Sequence, residues 1–298
     1  GYGQLAIIIP LLLAAPRWFA KEVQVGWIMQ VSNAFGQVQG AMSYFVDAYT
    51  TIAQWCSVVR RLDGFNRHVG EALDLKSDLM IDNASNITVG IENVDVFLPN
   101  KNKDILIKDC TIDLMKYQSL LIMGASGVGK STLLRTLAGL WPYAKGNVYL
   151  PKEEEFLFLP QRPYLPLGSL RQAISYPVVE EVISEKYSDE EIKEILIACK
   201  LENLADKLDI VDDWSRILSL GEQQRIAFVR ILLYRPEFVF LDEATSALDE
   251  DLEGNLYDML KIHLPNTKII SIAHRSSLIA KHQAILRLKE KGCWEIHE

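Results

Sequence analysis

The residues with the clearest chemical meaning run from Gly124 to Ser131, GASGVGKS, and match the phosphate-loop pattern G-x-x-x-x-G-K-[ST]. An apolar stretch, 119–123, precedes them and a helix-like stretch, 131–140, follows, which is the context that the motif requires. Glycines let backbone N–H groups point at phosphate oxygens, and the start of a helix attracts the same anion. A chance glycine-rich turn is the weaker alternative. The loop residues predicted to bind a nucleotide triphosphate are Gly124, Ser126, Gly127, Gly129, Lys130, Ser131 and Thr132.

Two carboxylates are the predicted acidic partners of this loop. Asp242 and Glu243 follow the apolar stretch 238–241, which is typical of a buried strand, and ligands of open α/β sheets bind at the carboxyl ends of such strands. Lys130 is expected to reach the β- and γ-phosphates, while the Ser131 hydroxyl and Asp242 hold Mg²⁺. Glu243 could then act as general base on the attacking water. On its own, a strand that ends in Asp-Glu is also a common solvated strand end.

The elements that must position these groups alternate along the chain. Such alternation of strands and helices indicates an α/β fold with a largely parallel sheet covered on both sides. The predicted strands are 87–97, 105–114, 119–123, 156–159, 239–241 and 268–272, and further predicted helices are 189–200 and 222–233.

The first 69 residues differ in character from the rest. The apolar stretch 5–15 is shorter than the roughly 20 residues that cross a bilayer, and we expect the chain to start inside a longer hydrophobic helix. Residues 23–59 are long enough to span a membrane but carry polar side chains, as in a helix that lines a translocation path. An amphipathic helix of a soluble protein fits the composition equally well. Residues 70–86 lose periodicity and are predicted to be a linker.

Composition narrows the classes of partner. The 298 residues carry 31 Lys and Arg against 39 Asp and Glu, a formal net charge of −8. This balance argues against a general affinity for nucleic acid, whose phosphates require clustered basic side chains. The cysteines are far apart and form no CxxC pair, which indicates neither a zinc site nor a disulfide framework.

The segment Leu218–Arg225, LSLGEQQR, resembles the signature of the ATP-binding domain of ABC transporters, usually written LSGGQ. Three further segments resemble motifs of that family and occur in its order: the Q-loop glutamine Gln161, the D-loop 246–249 and the switch-histidine segment 272–275. The resemblance covers the chain from about residue 87 onward. It implies a P-loop ATPase domain, residues 87–298, with a mainly parallel sheet flanked by helices, an antiparallel β subdomain and a helical signature subdomain.

The resemblance also implies roles for single residues. His274 would contact the γ-phosphate and help to position water, and Gln161 would contact Mg²⁺ and couple the site to membrane helices. Phe97 would stack on adenine, with a core position as its alternative. Leu220 departs from the family pattern, which has glycine there. In a head-to-tail dimer with a second copy of the chain, the residues expected to face the partner's ATP are Ser219, Gly221, Glu222 and Asp249.

Residues 29–40, 49–55 and 61–65 resemble the last membrane helix of a subfamily that includes bacterial peptide-antibiotic and vitamin B12 transporters and peroxisomal fatty acyl-CoA transporters. The resemblance implies the C-terminal part of a half-transporter, in which ATP hydrolysis drives an unidentified substrate across the membrane. We expect a multi-pass protein of the bacterial plasma membrane whose ATPase domain is cytoplasmic, with residues 1–69 as its last membrane helices.

A soluble ABC-type ATPase that acts on DNA or ribosomes is the alternative. The short separation of Lys130 and Ser219 leaves no space for a long coiled-coil insert, and the acidic charge counts against nucleic acid. A P-loop kinase would have no use for the signature segment or for His274.

Overall fold

The computed structural model describes residues 2–73, 78–82, 89–100, 104–152 and 155–298. The chain divides into two compact units, Gly1–Leu75 and Lys76–Glu298.

The first unit consists of helix α1, Tyr2–Phe19, and helix α2, Val25–Leu73. With 49 residues, α2 is about 70 Å long at the usual rise per residue. Among the side chains described in this unit, only Pro10 and Ala14 are buried. Within the described residues, no helix has a stretch that is both long and apolar enough to cross a bilayer. Most of the apolar surface of this unit is therefore exposed in a single copy.

The second unit alternates strands and helices, as its sequence pattern predicts. Its strands are β1 Asp78–Asp82, β2 Gly90–Phe97, β3 Ile105–Asp113, β4 Ser119–Gly124, β5 Ala144–Tyr149, β6 Phe156–Leu159, β7 Gly168–Ser169, β8 Val211–Asp212, β9 Phe238–Asp242, β10 Lys268–Ile272, β11 Ala284–Leu288 and β12 Trp294–His297. Its α-helices are α3 Lys130–Leu137, α4 Leu170–Ser175, α5 Glu180–Lys186, α6 Asp189–Ala198, α7 Trp214–Ile217, α8 Leu220–Tyr234 and α9 Glu250–His263.

The larger sheet has the order β12-β11-β4-β10-β9-β6 within the described residues. Its strands pair in parallel except for β12, which is antiparallel to β11. Alternate side chains of β9 enter different cores: Val239 and Leu241 pack with the helices α4, α6 and α8, whereas Phe238 and Phe240 pack with α3 and the smaller sheet. Burial on both faces explains why these strands are continuous apolar runs.

The smaller sheet has the order β1-β5-β2-β3 in the part of the chain that the structure describes. Strand β2 is antiparallel to both β3 and β5, and β1 is parallel to β5. One mainly parallel and one mainly antiparallel sheet, with helices, agree with the fold class that the sequence predicts.

Several element boundaries differ from those that the sequence predicts, and two predicted helices end early near a residue with a left-handed backbone. The predicted helix 131–140 ends at Leu137 because Gly139 has a left-handed φ of 71°. The predicted helix 189–200 ends at Ala198, two residues before Lys200 with φ 59°. Strand β1 lies inside the stretch 70–86 predicted as linker, and α2 continues to Leu73. The other parts of that stretch, 74–77 and 83–86, and the first residues of the predicted strand 87–97, lie outside the described residues.

Candidate functional site

The parallel register of the larger sheet places four functional segments at one edge. Ile272 at the end of β10 pairs with Ile122 of β4 on one side and with Asp242 of β9 on the other. Leu159 of β6 pairs with Leu241. Because the strands end at the same level, the segments that follow them lie side by side. These segments are the phosphate loop after β4, Gln161 after β6, Glu243 after β9 and His274 after β10.

The phosphate loop has a backbone that requires glycine at its first position. Gly124 has φ 157°, and a Cβ placed there would lie 2.6 Å from the carbonyl oxygen of Leu288. Gly129 has φ 102° and occupies the N-cap of α3. The cradle therefore fits the close backbone approach that phosphate binding needs.

Lys130 is folded back over this loop. Its ammonium group donates hydrogen bonds to the carbonyl oxygens of Gly124 at 3.0 Å and of Ala125 at 2.8 Å. Burial lowers the pKa of Lys130, and the negative charge of Glu243 opposes this shift. A buried ammonium that is paired only with neutral carbonyl groups has much to gain from an anion in the loop.

Asp242 joins the loop to the sheet through both of its oxygens. The Ser131 hydroxyl donates to Oδ1 at 2.6 Å, and Nη2 of Arg135 donates to Oδ2 at 3.3 Å. A hydroxyl beside a carboxylate is the kind of oxygen donor that Mg²⁺ prefers when phosphate oxygens and water complete its shell. Elsewhere in the described residues, no group of three or more His, Cys, Asp or Glu side chains could hold a metal ion.

Glu243 is the centre of a second group of side chains. Nε2 of Gln161 donates to its Oε2 at 3.1 Å, and Nε2 of His274 lies 2.9 Å from its Oε1. The backbone of Glu243 is left-handed, with φ 51°, which is uncommon and costly for a residue other than glycine. The structure thus brings two of the predicted residues, Gln161 and His274, to the partly buried carboxylate of a third.

The signature residues begin helix α8. Ser219 is the N-cap in a capping box, in which its hydroxyl donates to Oε2 of Glu222 at 2.8 Å and accepts from the Glu222 amide. Nδ2 of Asn203 donates to the other carboxylate oxygen of Glu222 at 3.3 Å. Burial by itself would raise the pKa of Glu222, but hydrogen bonds from Ser219 and Asn203 and the charge of Arg225 outweigh it and lower the pKa.

Leu220 fits the signature because no left-handed backbone is needed there. It is the first residue of α8, and neither Leu220 nor Gly221 has a positive φ. Gly221 faces the D-loop, where a Cβ would lie 3.4 Å from the carbonyl oxygen of Ala247. Gly221 is therefore in ordinary contact distance of the D-loop.

The remaining predicted residues are placed at element ends. Asp249 is the N-cap of α9 and accepts a hydrogen bond from the Leu252 amide at 2.8 Å. Thr132 lies in the first turn of α3. Phe97 ends β2, is half-buried, and its carbonyl accepts a hydrogen bond from the Trp141 indole at 3.1 Å. Ser126 and Gly127 are exposed in the phosphate loop.

Two arginines of this region were not predicted from the sequence. Arg135 lies four residues after Ser131 on α3, so both side chains share one helix face and contact Asp242, and that spacing is the signal that could have identified it. Arg275, next to His274, donates to the carbonyl oxygen of Leu248 at 2.6 Å and pairs with Glu253 at 3.3 Å. It ties the segment after β10 to the D-loop, a contact that no sequence spacing indicates.

Comparisons with known proteins match two families to different parts of the chain. The family described as ABC transporter matches residues 107–246, and the SbmA/BacA-like family matches residues 1–70. An ABC transporter ATP-binding protein of Haemophilus influenzae is 42% identical over 294 residues, which are 99% of this chain and 48% of the relative. A Synechocystis protein of the same description is 36% identical, covering 99% of this chain and 45% of the relative. ABC transporter D family member 2, chloroplastic, of Arabidopsis thaliana is 34% identical, covering 97% and 50%. The chain spans about half the length of these relatives.

Proposed function

The chain belongs to the ABC transporter family, and from this premise we propose that it is the C-terminal part of a half-transporter that couples ATP hydrolysis to movement of a substrate across a membrane. The observation that carries the proposal is the pair of hydrogen bonds from Gln161 and His274 to Glu243, one residue after the carboxylate that binds Ser131. Matches to proteins described as ABC transporters favour transport over a soluble ATPase.

The phosphate loop and the side chains around Glu243 contribute to different parts of hydrolysis. Lys130 and the phosphate loop bind the phosphates and orient the γ-phosphate. Glu243 takes a proton from the attacking water, and His274, held against it, orients the water and contacts the γ-phosphate. Ser131, Gln161 and Asp242 are the residues that would hold Mg²⁺, which offsets the negative charge of the phosphates when bound. Phe97 is the proposed contact for adenine.

The signature and D-loop residues act on the nucleotide of a second copy of the chain. Ser219 and Gly221 lie at the positive end of the 15-residue helix α8, which attracts an anion. Glu222 fixes the Ser219 hydroxyl, and Asp249 starts the next helix at the D-loop. In this proposal the chain forms a head-to-tail homodimer with two ATP molecules at its interface.

The N-terminal unit is the membrane part of the proposal. We infer that residues 1–69 belong to the last membrane helices, that 70–86 link them to the ATPase domain, and that 87–298 form that domain. The match of residues 1–70 to the SbmA/BacA-like family supports this division. The proposed location is the bacterial plasma membrane, as a multi-pass protein with a cytoplasmic ATPase domain.

ATP turnover by the purified protein tests the proposal. The wild type is expected to release phosphate from ATP only when Mg²⁺ is present. Lys130→Ala removes the one ammonium group seen over the described phosphate loop, so ATP binding should weaken by about tenfold to a hundredfold and turnover should fall with it. The measurements are phosphate release and equilibrium binding of a fluorescent ATP analogue.

Lys207→Ala is the matched control, because Lys207 is an exposed lysine of the same domain outside the site. It should bind and hydrolyse ATP as the wild type does. A folded wild-type protein that neither binds nor hydrolyses ATP would contradict the proposed function.

A further inference from the structure

Gln224 is a fully buried polar side chain in the second turn of α8. Its exposed fraction is 0%. Burying an amide costs free energy unless its donors and its acceptor are hydrogen-bonded. The partners of Gln224 therefore indicate its role.

The partners of Gln224 come from two different loops. Its Nε2 donates to the backbone carbonyl of Gln161 at 3.0 Å and to the Ser246 hydroxyl at 3.1 Å. Its Oε1 accepts from the backbone amide of Ala247 at 2.9 Å. One side chain on the signature helix therefore holds both the segment after β6 and the segment after β9.

Both segments bond to Glu243, the first through a side chain and the second through its own turn. The side chain of Gln161 donates to the Glu243 carboxylate, and the Ser246 amide donates to the Glu243 backbone carbonyl at 3.1 Å. The position of Glu243 is thus fixed by two loops that share Gln224 as a common anchor.

Apolar packing cannot hold the two loops in place, because Gln161, Ser246 and Ala247 are exposed. If the amide were removed, water could satisfy the freed backbone groups, so the fold would survive while the two loops lost their fixed positions. Gln224 is therefore placed to affect geometry more than stability.

We propose that Gln224 is a positioning residue for ATP hydrolysis, which holds Gln161 and the D-loop in register with Glu243 and makes both loops follow any displacement of the signature helix. The inference rests on the proposed ATPase function. A glutamine is required because only an amide offers two donors to Gln161 and Ser246 together with an acceptor for Ala247.

The test compares Gln224→Leu with Gln118→Leu in the purified protein. Gln118 is the matched control: its amide also bonds to two backbone carbonyls of the same domain, those of Pro265 and Thr267, and makes no contact with Glu243. Gln224→Leu should lower kcat by about tenfold to a hundredfold with KM for ATP within about twofold, as expected for misplaced catalytic groups. Gln118→Leu should keep kcat within about threefold, since its bonds do not reach the site.

Hydrogen exchange supplies a readout that does not depend on turnover. Amides of residues 244–248 should exchange about tenfold faster or more in Gln224→Leu than in wild type and in Gln118→Leu. Gln224→Glu keeps an acceptor for Ala247 but loses both donors, so it should retain protection at that amide while kcat still falls.

The outcomes separate this inference from the proposed function. Equal kcat and equal exchange in the two leucine variants would overturn the role of Gln224, as would parallel losses of kcat and thermal stability in both. A folded wild-type protein without ATP hydrolysis would overturn the proposed function itself, and unchanged exchange in Gln224→Leu would then also refute the anchor.

Discussion

Asp242 and Glu243 are adjacent carboxylates that contact different partners. Asp242 is still in strand β9 and faces Ser131 and Arg135 of α3, whereas Glu243 turns to Gln161 and His274. The left-handed φ of Glu243 ends the strand and redirects its side chain. Two neighbouring residues of similar chemistry thereby face different partners, and the proposed function gives them separate roles, Asp242 toward Mg²⁺ and Glu243 toward water.

Glu243→Gln is expected to separate binding from turnover. The amide fills nearly the same space but cannot accept the proton of the attacking water, so ATP should still bind while kcat falls by about a hundredfold or more. Phosphate release and binding of labelled ATP measure the two steps.

Glu250→Gln is the control for this change, because Glu250 is an exposed acid at the start of α9. It should leave both steps unchanged. Hydrolysis at the wild-type rate in Glu243→Gln would show that another group is the base.

The sequence predicts the elements of the ATPase domain better than their ends. Apolar runs identify β6, β9 and β10 because both faces of these strands are buried, and that pattern is local. Strand β1 is not predicted because its apolar run, 79–81, has only three residues between two aspartates, and only Leu79 of the five side chains is buried. Motif order predicts which residues gather at the sheet edge. The contacts of Gln224 and Arg275 depend on tertiary packing between loops and could not be predicted from spacing.

A chain of hydrogen bonds through His282 joins three elements of this domain. The Tyr257 hydroxyl of α9 donates to Ser271 of β10, and Ser271 donates to Nε2 of His282. Nδ1 of His282 then donates to the Leu278 carbonyl, since a carbonyl can only accept. Burial lowers the pKa of His282 from 6.5 to about 4, the hydrogen bond to Leu278 opposes this shift, and the charge of Lys261 adds to it. The folded protein therefore contains His282 in its neutral form at neutral pH.

The sign of the resulting pH dependence follows from this lowered pKa. Between about pH 4 and pH 6.5 the unfolded chain binds a proton at His282 and the folded chain does not, so the free energy of unfolding decreases as the pH falls. The contribution is complete above pH 6.5 and amounts to about 3 kcal/mol. In His282→Gln this contribution is absent, and its difference in stability from the wild type should narrow as the pH is lowered through that range.

Denaturant unfolding followed by tryptophan fluorescence at several pH values measures the difference. His263→Gln is the matched control, since His263 is exposed on the same domain. It should follow the wild type across the whole range. A constant difference between wild type and His282→Gln from pH 6.5 to about pH 4 would contradict a buried neutral histidine.

At the scale of the whole molecule, the net charge of the chain affects how two copies would pair. Each chain carries a formal net charge of −8, so two copies repel one another at separations up to about one Debye length of 8–10 Å. The chain nevertheless has two local positive features, Lys130 in the phosphate loop and the start of α8 at Ser219. A triphosphate held between the two features would supply the attraction that the chains lack by themselves.

ATP should therefore drive dimer formation, and the dimer should last only until the ATP is hydrolysed. Glu243→Gln with ATP is expected to double in protein mass by light scattering in detergent, whereas wild type with ADP, or any form without nucleotide, should stay monomeric. The double variant Glu243→Gln with Lys130→Ala should remain monomeric with ATP, because its phosphate loop has lost the ammonium group that binds the bridging phosphates. A dimer of equal population with and without ATP would show that other surfaces hold the copies together. A monomer at saturating ATP would leave Ser219 and Gly221 without the phosphate that the proposal assigns to them.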